Sequence, residues 1–289
     1  MNYSVECIHC MLKKADESFC KYVGKEEERL EFLKQVLKEI YSSNDQVTAP
    51  YLNSRINKIL KEKIDIQDLY QEEKKKYNSK ILLLENDILD IINRSQDKLV
   101  SALQYALVGN LIDFGALDTV DDNVLEELID TAAQQRIDSE LYQRFKDELR
   151  HGKRLCYITD NAGEIVFDKM FIHMIKEYNR SIELKIIVRG MPVLNDATRE
   201  DAVEVGIHKY GEIIPNGTAI PGTDLKEVNS ETNLALDHSD MIIAKGQGNF
   251  ETLWGCGKNI YYLFLCKCDL FVRRFSAQKY QGMFVKEQG

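Results

Sequence analysis

The sequence is poor in proline and contains no long apolar run. Only 4 prolines and 16 glycines occur in 289 residues. No apolar stretch approaches the roughly 18 to 20 residues that a membrane helix needs. The first residues, MNYSVECIHCMLKKAD, lack the basic and then apolar order of a secretory signal. We therefore expect neither membrane insertion nor secretion, and the 44% of hydrophobic residues predicts a globular protein of one or two domains.

Disulfide-rich proteins and general nucleic-acid binders are also disfavoured. The seven cysteines are an odd number without a secretory signal, so we expect reduced thiols in a cytoplasmic protein. The chain carries 38 Lys and Arg against 47 Asp and Glu, which gives a net charge of −9. An acidic chain is a poor general partner for nucleic acid, although one local basic site stays compatible with this charge.

The residue distribution changes near position 150. Residues 1–150 contain 3 of the glycines and 1 of the prolines, and they carry 21 basic and 29 acidic residues. Apolar residues recur there at three- and four-residue steps, as in Leu84, Ile88 and Ile91, which is typical of amphipathic helices. We therefore predict a helical domain at 1–150 and an α/β domain at 151–289. The charged stretch Glu72–Lys76 is interpreted as a solvated helix face.

Short runs of β-branched and aromatic residues predict buried strands after residue 150. These runs are 155–159, 184–188, 241–244 and 260–265. Between the first two lies 165–178, where apolar residues follow a helical period over a length sufficient for a crossover helix. A strand, a helix and a second strand in this order predict a mostly parallel sheet.

Polar residues follow three of these strands. The strands lead into Asp160 to Glu164, Arg189 to Asp196 and Lys245 to Asn249. Ligands of open parallel sheets bind beyond the carboxyl ends of the strands, so we expect the three segments to converge.

The first two segments contain ligands that a hard divalent cation prefers. Asp160, Asp196 and the amide oxygen of Asn161 form an all-oxygen set suited to Mg²⁺ or Mn²⁺. A water molecule bound to such a metal is a nucleophile at neutral pH. The pairs Asp160-Asn161 and Asn195-Asp196 also have a simpler interpretation, because Asp and Asn before a helix are common caps and loop residues.

The other polar residues suit a phosphate group. Gly163 and Glu164 open the predicted helix, where backbone N–H groups attract anions. Lys245 and Gly246 offer a cation and an exposed backbone, although this pair can equally be a turn. Only the presence of all three segments at strand ends favours a metal-dependent phosphoryl site over these simpler interpretations.

The three segments together resemble the damage-control phosphatase family, which is also catalogued as domain of unknown function 89. The resemblance rests on Ile158 to Glu164, Gly190 to Thr198 and Lys245 to Glu251, in this order and at this spacing. Gly109 to Gly115 and Cys7 to Cys10 resemble the cysteine-bearing microbial branch of that family. In the carboxyl end of the chain, 273–289, we find no motif of the family.

The resemblance implies a fold, an activity and a set of residues. The fold is a Rossmann-like three-layer sandwich with a helical amino-terminal portion, and the activity is a metal-dependent phosphatase acting on small phosphorylated metabolites. Asp160, Asn161 and Asp196 are expected to hold the divalent metal, with Mn²⁺, Mg²⁺, Co²⁺ and Ni²⁺ all open, and Lys245 is expected at the substrate phosphate. Further pocket residues implied by the matching motifs are Asn110, Glu164, Gly246, Asn249 and Glu251.

Cys7 and Cys10 form a Cys-x-x-Cys pair with several interpretations. Such a pair can be half of a zinc site, a redox pair or two buried apolar residues. The resemblance adds Cys268 to the pair. A structural zinc would require the two ends of the chain to meet, with His9 and Cys266 as further candidate ligands.

Three other functions are alternatives to the phosphatase. A nucleophilic aspartate of the haloacid dehalogenase type requires a second Asp two positions after the first, and Ala162 occupies that position. An S-adenosylmethionine-dependent carboxyl methyltransferase fits a Rossmann-like sheet, but the turn after the first strand lacks the G-x-G pattern. A non-catalytic protein that binds a phosphorylated metabolite would use the same pocket. The hydrophobic helical domain leaves room for a homodimer contact.

Overall fold

The amino-terminal part of the chain is helical. The computed structural model describes residues 1–64, 68–109 and 122–287. The helices that precede the sheet are α1 (Val5–Tyr22), α2 (Glu26–Ser42), α3 (Ala49–Lys61), α4 (Gln71–Arg94), α5 (Lys98–Val108), α6 (Asp122–Gln134) and α7 (Ser139–His151). Asn110, and with it most of the Gly109 to Gly115 segment, lies outside the described residues.

Side-chain caps explain where several of these helices begin. Thr48 accepts a hydrogen bond from the Tyr51 backbone N–H at the start of α3. Asp97 accepts from the backbone N–H groups of Leu99 and Val100 at the start of α5. These short polar side chains satisfy N–H groups that have no partner within the helix, so each cap fixes a helix boundary in the sequence.

A mostly parallel sheet forms the second part of the fold. The strands are β1 (Arg154–Ile158), β2 (Glu183–Val188), β3 (Glu212–Pro215), β4 (Met241–Lys245), β5 (Ile260–Leu265) and β6 (Gly282–Lys286). They are arranged in the order β3-β2-β1-β4-β5-β6. All neighbours are parallel except β6, which runs antiparallel to β5. The strand order reverses between β1 and β4, which is where open sheets bind ligands.

Helices connect successive strands. They are α8 (Glu164–Tyr178), α9 (Arg199–Glu204), α10 (Ser230–Asp237), α11 (Gln247–Leu253) and α12 (Asp269–Phe275). Both faces of β1 are buried, since Leu155 and Tyr157 pack with α4, α5, α7 and α8, whereas Cys156 and Ile158 pack with α10, α11 and α12. The sheet is therefore the middle of three layers, which explains why its strands are continuous apolar runs.

A separate hydrophobic cluster holds the first three helices together. It contains Phe19 of α1, Phe32 and Val36 of α2, and Leu52 and Ile56 of α3, and the two phenylalanine rings stack at 4.7 Å between centroids. By contrast, α4 to α7 share their core with the sheet. The division of the chain into two domains near residue 150 stays a prediction.

The predicted fold class is confirmed. The four predicted strands correspond to β1, β2, β4 and β5, and the predicted crossover helix corresponds to α8. The strands β3 and β6 were not predicted. They lie at the two edges of the sheet, and each contains partly exposed positions, so neither is a continuous buried run. None of the helices in the described residues is long and apolar enough to cross a bilayer.

The prediction of a solvated helix face at Glu72–Lys76 is wrong for one residue. Lys74 is only 4% exposed, and its Nζ forms ion pairs of 3.0 Å with both Asp68 and Asp201. The neighbouring Glu72 and Lys75 are exposed, as predicted. Lys74 lies on the buried face of α4, one turn before Tyr77 and Asn78, but a lysine within a charged run gives no sign of burial until its partners are known.

Phe145 joins α7 to the sheet, so its removal tests this packing. Its ring is fully buried and lies 5.2 Å from Tyr261 and 5.6 Å from Phe284, centroid to centroid. We expect Phe145→Ala to lower the free energy of unfolding by about 3–5 kcal/mol in denaturant titrations, because it leaves a cavity at this junction. The exposed Tyr41 serves as control, since Tyr41→Ala is expected to change stability by less than about 0.5 kcal/mol. Equal stabilities for the two variants would contradict the described packing.

Candidate active site

Three strands deliver polar residues to one edge of the sheet. Asp160 lies just beyond β1, Arg189 directly follows β2, and Lys245 ends β4. Because these strands are parallel neighbours, their carboxyl ends lie side by side. This places the three predicted segments at the point where the strand order reverses.

Backbone hydrogen bonds tie the Asp160 loop to the Asp196 loop. The N–H of Ala162 donates to the Asn195 carbonyl at 2.9 Å, and the N–H of Ala197 donates to the Asp160 carbonyl at 2.7 Å. Asn161 and Asp196 are thereby paired in an isolated antiparallel bridge. The structure thus brings together the three residues that the sequence predicts as metal ligands.

The Asn161 amide connects two carboxylates of the site. Its Nδ2 donates to Asp160 Oδ2 at 2.8 Å and to Glu164 Oε2 at 3.1 Å. The amide nitrogen of Asn161 therefore faces the two carboxylates. Its amide oxygen is the atom suited to bind a metal.

Arg189 is a site residue that sequence analysis did not single out. Its side chain is fully buried, its Nε donates to Asp196 Oδ2 at 2.6 Å, and its Nη2 lies 3.7 Å from Asp160 Oδ1. Within the described residues, its two terminal nitrogens have no hydrogen-bond partner. The only sequence signal was its position directly after a buried strand. This buried guanidinium offsets part of the negative charge of the two aspartates.

Lys245 is the last residue of β4, and its side chain forms ion pairs with two carboxylates. Its ammonium, fully buried, donates to Glu164 Oε1 and to Asp168 Oδ1, each at 2.6 Å. Asp168 Oδ1 also accepts from the Tyr157 hydroxyl at 2.8 Å. Sequence analysis missed Asp168, one turn after Glu164 on α8, since one charge in an apolar helix does not reveal its partner. The role of Lys245 at a substrate phosphate stays a prediction.

Burial and mutual repulsion oppose the ionisation of the aspartates. Burial, together with the nearby carboxylates of Glu164 and Asp196, raises the pKa of Asp160 to about 8, although Arg189 and Lys267 act in the opposite direction. Burial also raises the pKa of Asp196 despite its contact with Arg189. Burial is the largest cause for both aspartates, and repulsion between carboxylates adds to it.

Gly246 lets the chain pass close to Asp160. A Cβ atom at this position would lie 2.1 Å from Asp160 Oδ2, and the backbone adopts a φ of +82° that favours glycine. The turn from β4 into α11 can thus press against the Asp160 carboxylate only because residue 246 has no side chain. The predicted role of Gly246 beside the phosphate stays a prediction.

Asn249 and Glu251 lie on α11, close to the same edge of the sheet. Asn249 is buried, and its Nδ2 donates to the carbonyls of Thr159 and Lys245, which fastens α11 to β1 and β4. Glu251 accepts from Gln247 Nε2 at 2.9 Å, and burial raises the pKa of its carboxyl. The Oδ1 of Asn249 accepts from the Thr223 hydroxyl at 2.8 Å. The assignment of Asn249 and Glu251 to the substrate pocket stays a prediction.

The amino terminus reaches the helices around Cys268. The amino group of Met1 donates to the Glu251 carbonyl, and Arg273 pairs with Glu6 at 2.5 Å. Cys7 and Cys268 are half-buried and Cys10 is exposed. All seven cysteines belong to the described residues and none forms a disulfide. The two ends of the chain therefore do meet, but a metal or redox role for these cysteines stays a prediction.

The donor set around Asp160 fits a divalent cation by its chemistry. Asp160, Asp196 and the Asn161 amide supply oxygen ligands, and repulsion from the carboxylates of Glu164 and Asp196 adds to burial in raising the pKa of Asp160. A bound cation would offset the repulsion among these carboxylates. Across residues 1–64, 68–109 and 122–287, however, no group of three or more His, Cys, Asp or Glu side chains is arranged to hold a metal. The set at Asp160 contains two carboxylates and one amide.

Known proteins resemble this chain over nearly its full length. The family model described as the damage-control phosphatase ARMT1-like domain matches residues 3–282. The uncharacterized protein MJ0202 of Methanocaldococcus jannaschii is 30% identical over 273 residues, which cover 91% of this chain and 88% of that protein. A damage-control phosphatase of Archaeoglobus fulgidus is 33% identical over 241 residues, covering 83% of this chain and 82% of that protein.

A relative of known structure has the same fold. The crystal structure of PH1575, a DUF89 family protein from Pyrococcus horikoshii, matches with a TM-score of 0.88 and 29% sequence identity over 100% of both chains. The sequence of PH1575, which is named a damage-control phosphatase, is 35% identical over 179 residues, covering 62% of this chain and 61% of that protein. The names of these relatives support a phosphatase role. The resemblance seen in the three sequence segments is confirmed, and this chain belongs to the damage-control phosphatase ARMT1-like domain family.

Proposed function

We propose that the protein is a metal-dependent phosphatase that hydrolyses phosphate monoesters of small metabolites, such as sugar phosphates or damaged and side-product phosphometabolites. The observation that carries the proposal is the pairing of Asn161 with Asp196, next to Asp160, in a carboxylate-rich site at the switch point of the sheet. The metal, one of Mn²⁺, Mg²⁺, Co²⁺ and Ni²⁺, would be held by Asp160, Asn161 and Asp196. When bound, it would polarise a phosphate oxygen and make a bound water more acidic.

The residues around this set orient it. Arg189 holds the Asp196 carboxylate through Nε, and Asn161 holds the Asp160 carboxylate through Nδ2. The two terminal nitrogens of Arg189 have no hydrogen-bond acceptor among the described residues, and a buried positive charge is weakly screened, so it would interact strongly with a phosphate. Arg189 would therefore also stabilise negative charge that develops on the transferred phosphoryl group.

Two lysines are candidates for the substrate phosphate. The resemblance favours Lys245, whose Nζ is already engaged by Glu164 and Asp168. Lys267 follows β5, is exposed to solvent, and carries a charge that lowers the pKa of Asp160. We propose that Lys267 binds the incoming phosphate and that Lys245 neutralises the charge of Glu164. An entering anion can reach an exposed lysine without breaking a buried ion pair.

Metal dependence is the first property to test. After chelator treatment we expect no phosphate release from a panel of sugar phosphates, nucleotides and phosphopantetheine compounds. Restoring each divalent metal separately is expected to recover release from a few of them, because the carboxylate pair then has its cation. Phosphate release is measured colorimetrically, with circular dichroism confirming that the stripped protein is folded. Folded protein that releases no phosphate with any metal would overturn the phosphatase proposal and favour metabolite binding or methyl transfer.

Asp160→Asn should separate activity from stability. The variant is expected to lose metal-dependent turnover, because a neutral amide is a poorer metal ligand than a carboxylate. Its effect on the metal-free protein is expected to be the reverse. The folded-state pKa of about 8 lies above the ordinary value of 3.8, so this carboxyl costs stability progressively as the pH rises from about 4 to about 8.

The melting temperature (Tm) of metal-free Asp160→Asn is therefore expected to equal that of the wild type near pH 4 and to exceed it near pH 8. Thermal scans at several pH values with chelator present measure the difference. Wild-type activity in this variant would show that the metal site is placed at the wrong residues.

Substitution of the two lysines should give different results. Lys267→Met is expected to raise KM by about tenfold or more with little change in Tm, because an exposed cation contributes to binding rather than to folding. Lys245→Met is expected to lower stability by about 3–5 kcal/mol, since it leaves two buried carboxylates without their counter-charge. Steady-state kinetics and denaturant unfolding distinguish the two. A Lys245→Met variant of unchanged stability and raised KM would instead assign the phosphate to Lys245.

A further inference from the structure

Helix α4 contacts the loop that carries Asp160 and Asn161. Asn78 of α4 is fully buried, and its Oδ1 accepts a hydrogen bond of 2.7 Å from the backbone N–H of Gly163. Gly163 is two residues after Asn161 and precedes α8. A residue from the amino-terminal half of the chain thus fixes the end of this loop.

The approach of α4 to this loop is close. A Cβ atom on Gly163 would lie 3.2 Å from the Cβ of Tyr77, and Gly163 adopts a φ of +76°. Residues other than glycine rarely adopt this backbone conformation. The hydrogen bond from Asn78 therefore acts on a backbone that is bent directly against α4.

The same asparagine also contacts the segment after Asp196. Asn78 Nδ2 donates to Asp201 Oδ1 and to Glu204 Oε2, each at 3.0 Å. Asp201 Oδ2 in turn accepts from the backbone N–H of Thr198 at 2.9 Å and from its hydroxyl at 2.8 Å, which caps α9. Thr198 is two residues after Asp196, so this cap fixes the end of the second loop.

Lys74 completes the contact, one helical turn before Asn78. Its Nζ lies 3.0 Å from Asp201 Oδ2, the oxygen that caps α9, and 3.0 Å from Asp68. Lys74 and Asn78 therefore occupy the two oxygens of Asp201 between them, and Asn78 alone also reaches Gly163. Each loop of the candidate metal site is thus fastened to the same stretch of α4.

We propose that Asn78 and Lys74 are positioning residues that set the separation of Asp160 and Asp196 for metal binding, by fastening both loops to α4. The inference rests on the proposed function. Neither residue contacts the three predicted ligands in the described hydrogen bonds. Residues that orient metal ligands without touching the metal typically change metal affinity or activity by about 10- to 100-fold when they are replaced.

The test uses Mn²⁺ alone as the probe of the full chain. Binding to metal-stripped protein is followed by the electron paramagnetic resonance signal of free Mn²⁺. We expect Asn78→Ala to raise the Kd for Mn²⁺ by about 10- to 100-fold. Lys74→Met is the second variant, expected to act in the same direction, and it carries the test if Asn78→Ala does not fold.

Lys169→Met is the matched control. Lys169 is also buried, and its Nζ joins α8 to Glu85 of α4 and to the Val205 carbonyl at the end of α9. Its replacement removes a partly buried ion pair between α8 and α4, but Lys169 contacts neither loop in the described hydrogen bonds. The control is therefore expected to lower the melting temperature while leaving the Kd for Mn²⁺ within about twofold of the wild type. Wild-type Mn²⁺ affinity in Asn78→Ala, or equal losses in Asn78→Ala and Lys169→Met, would overturn the inference.

Amide hydrogen exchange separates this inference from the proposed function. In metal-free protein, Asn78→Ala is expected to increase exchange in peptides covering 160–166 and 195–202, and Lys169→Met is not. If the wild-type protein binds no Mn²⁺, the proposed metal site fails, and exchange alone decides whether α4 holds the loops. Unchanged exchange in both peptides of Asn78→Ala would overturn the positioning role whatever the metal result.

Discussion

The buried ammonium of Lys245 is the contact on which the candidate site depends. Lys245 is the last residue of β4. Its ammonium binds Glu164 and Asp168, which lie one turn apart at the start of α8. This ion pair fixes the first turn of α8 against the carboxyl end of a neighbouring strand. The second oxygen of Glu164 accepts a hydrogen bond from Asn161 Nδ2, which also donates to Asp160 Oδ2. The orientation of the predicted metal ligands is therefore built outwards from one lysine in the core.

The charges at this edge of the sheet explain why the arrangement suits a cation. Four carboxylates, those of Asp160, Glu164, Asp168 and Asp196, face the buried cations Arg189 and Lys245. Removing charges from water is costly, and burial, with added repulsion from Glu164 and Asp196, raises the pKa of Asp160 to about 8. A site organised only for stability would be expected to balance its charges. The imbalance is more consistent with a site that receives a further cation together with an anionic substrate.

The sequence predicted those parts of the site that follow from chain direction. The strands were recognisable as short apolar runs, and parallel strands must present their carboxyl ends together. The proximity of Asp160, Asn161 and Asp196 could therefore be predicted. Arg189 was harder to identify, because its only signal was its place directly after β2. Sequence spacing locates where a side chain begins, but it does not show which partner a long, flexible cation reaches.

Residues that contact the site from a distant part of the chain were not predictable in this way. Lys74 belongs to a charged run that is otherwise solvated, and Asn78 follows it by one turn without any distinguishing pattern. Their importance appears only when α4 lies beside Gly163 and Asp201, which are 85 and 123 residues away from Asn78. A buried polar side chain is stable only if its donors and acceptors are satisfied, so each such contact constrains both elements that it joins. Helix α4 and the loops after β1 and β2 therefore form one structural unit beside Asp160 and Asp196, wherever the domain boundary is drawn.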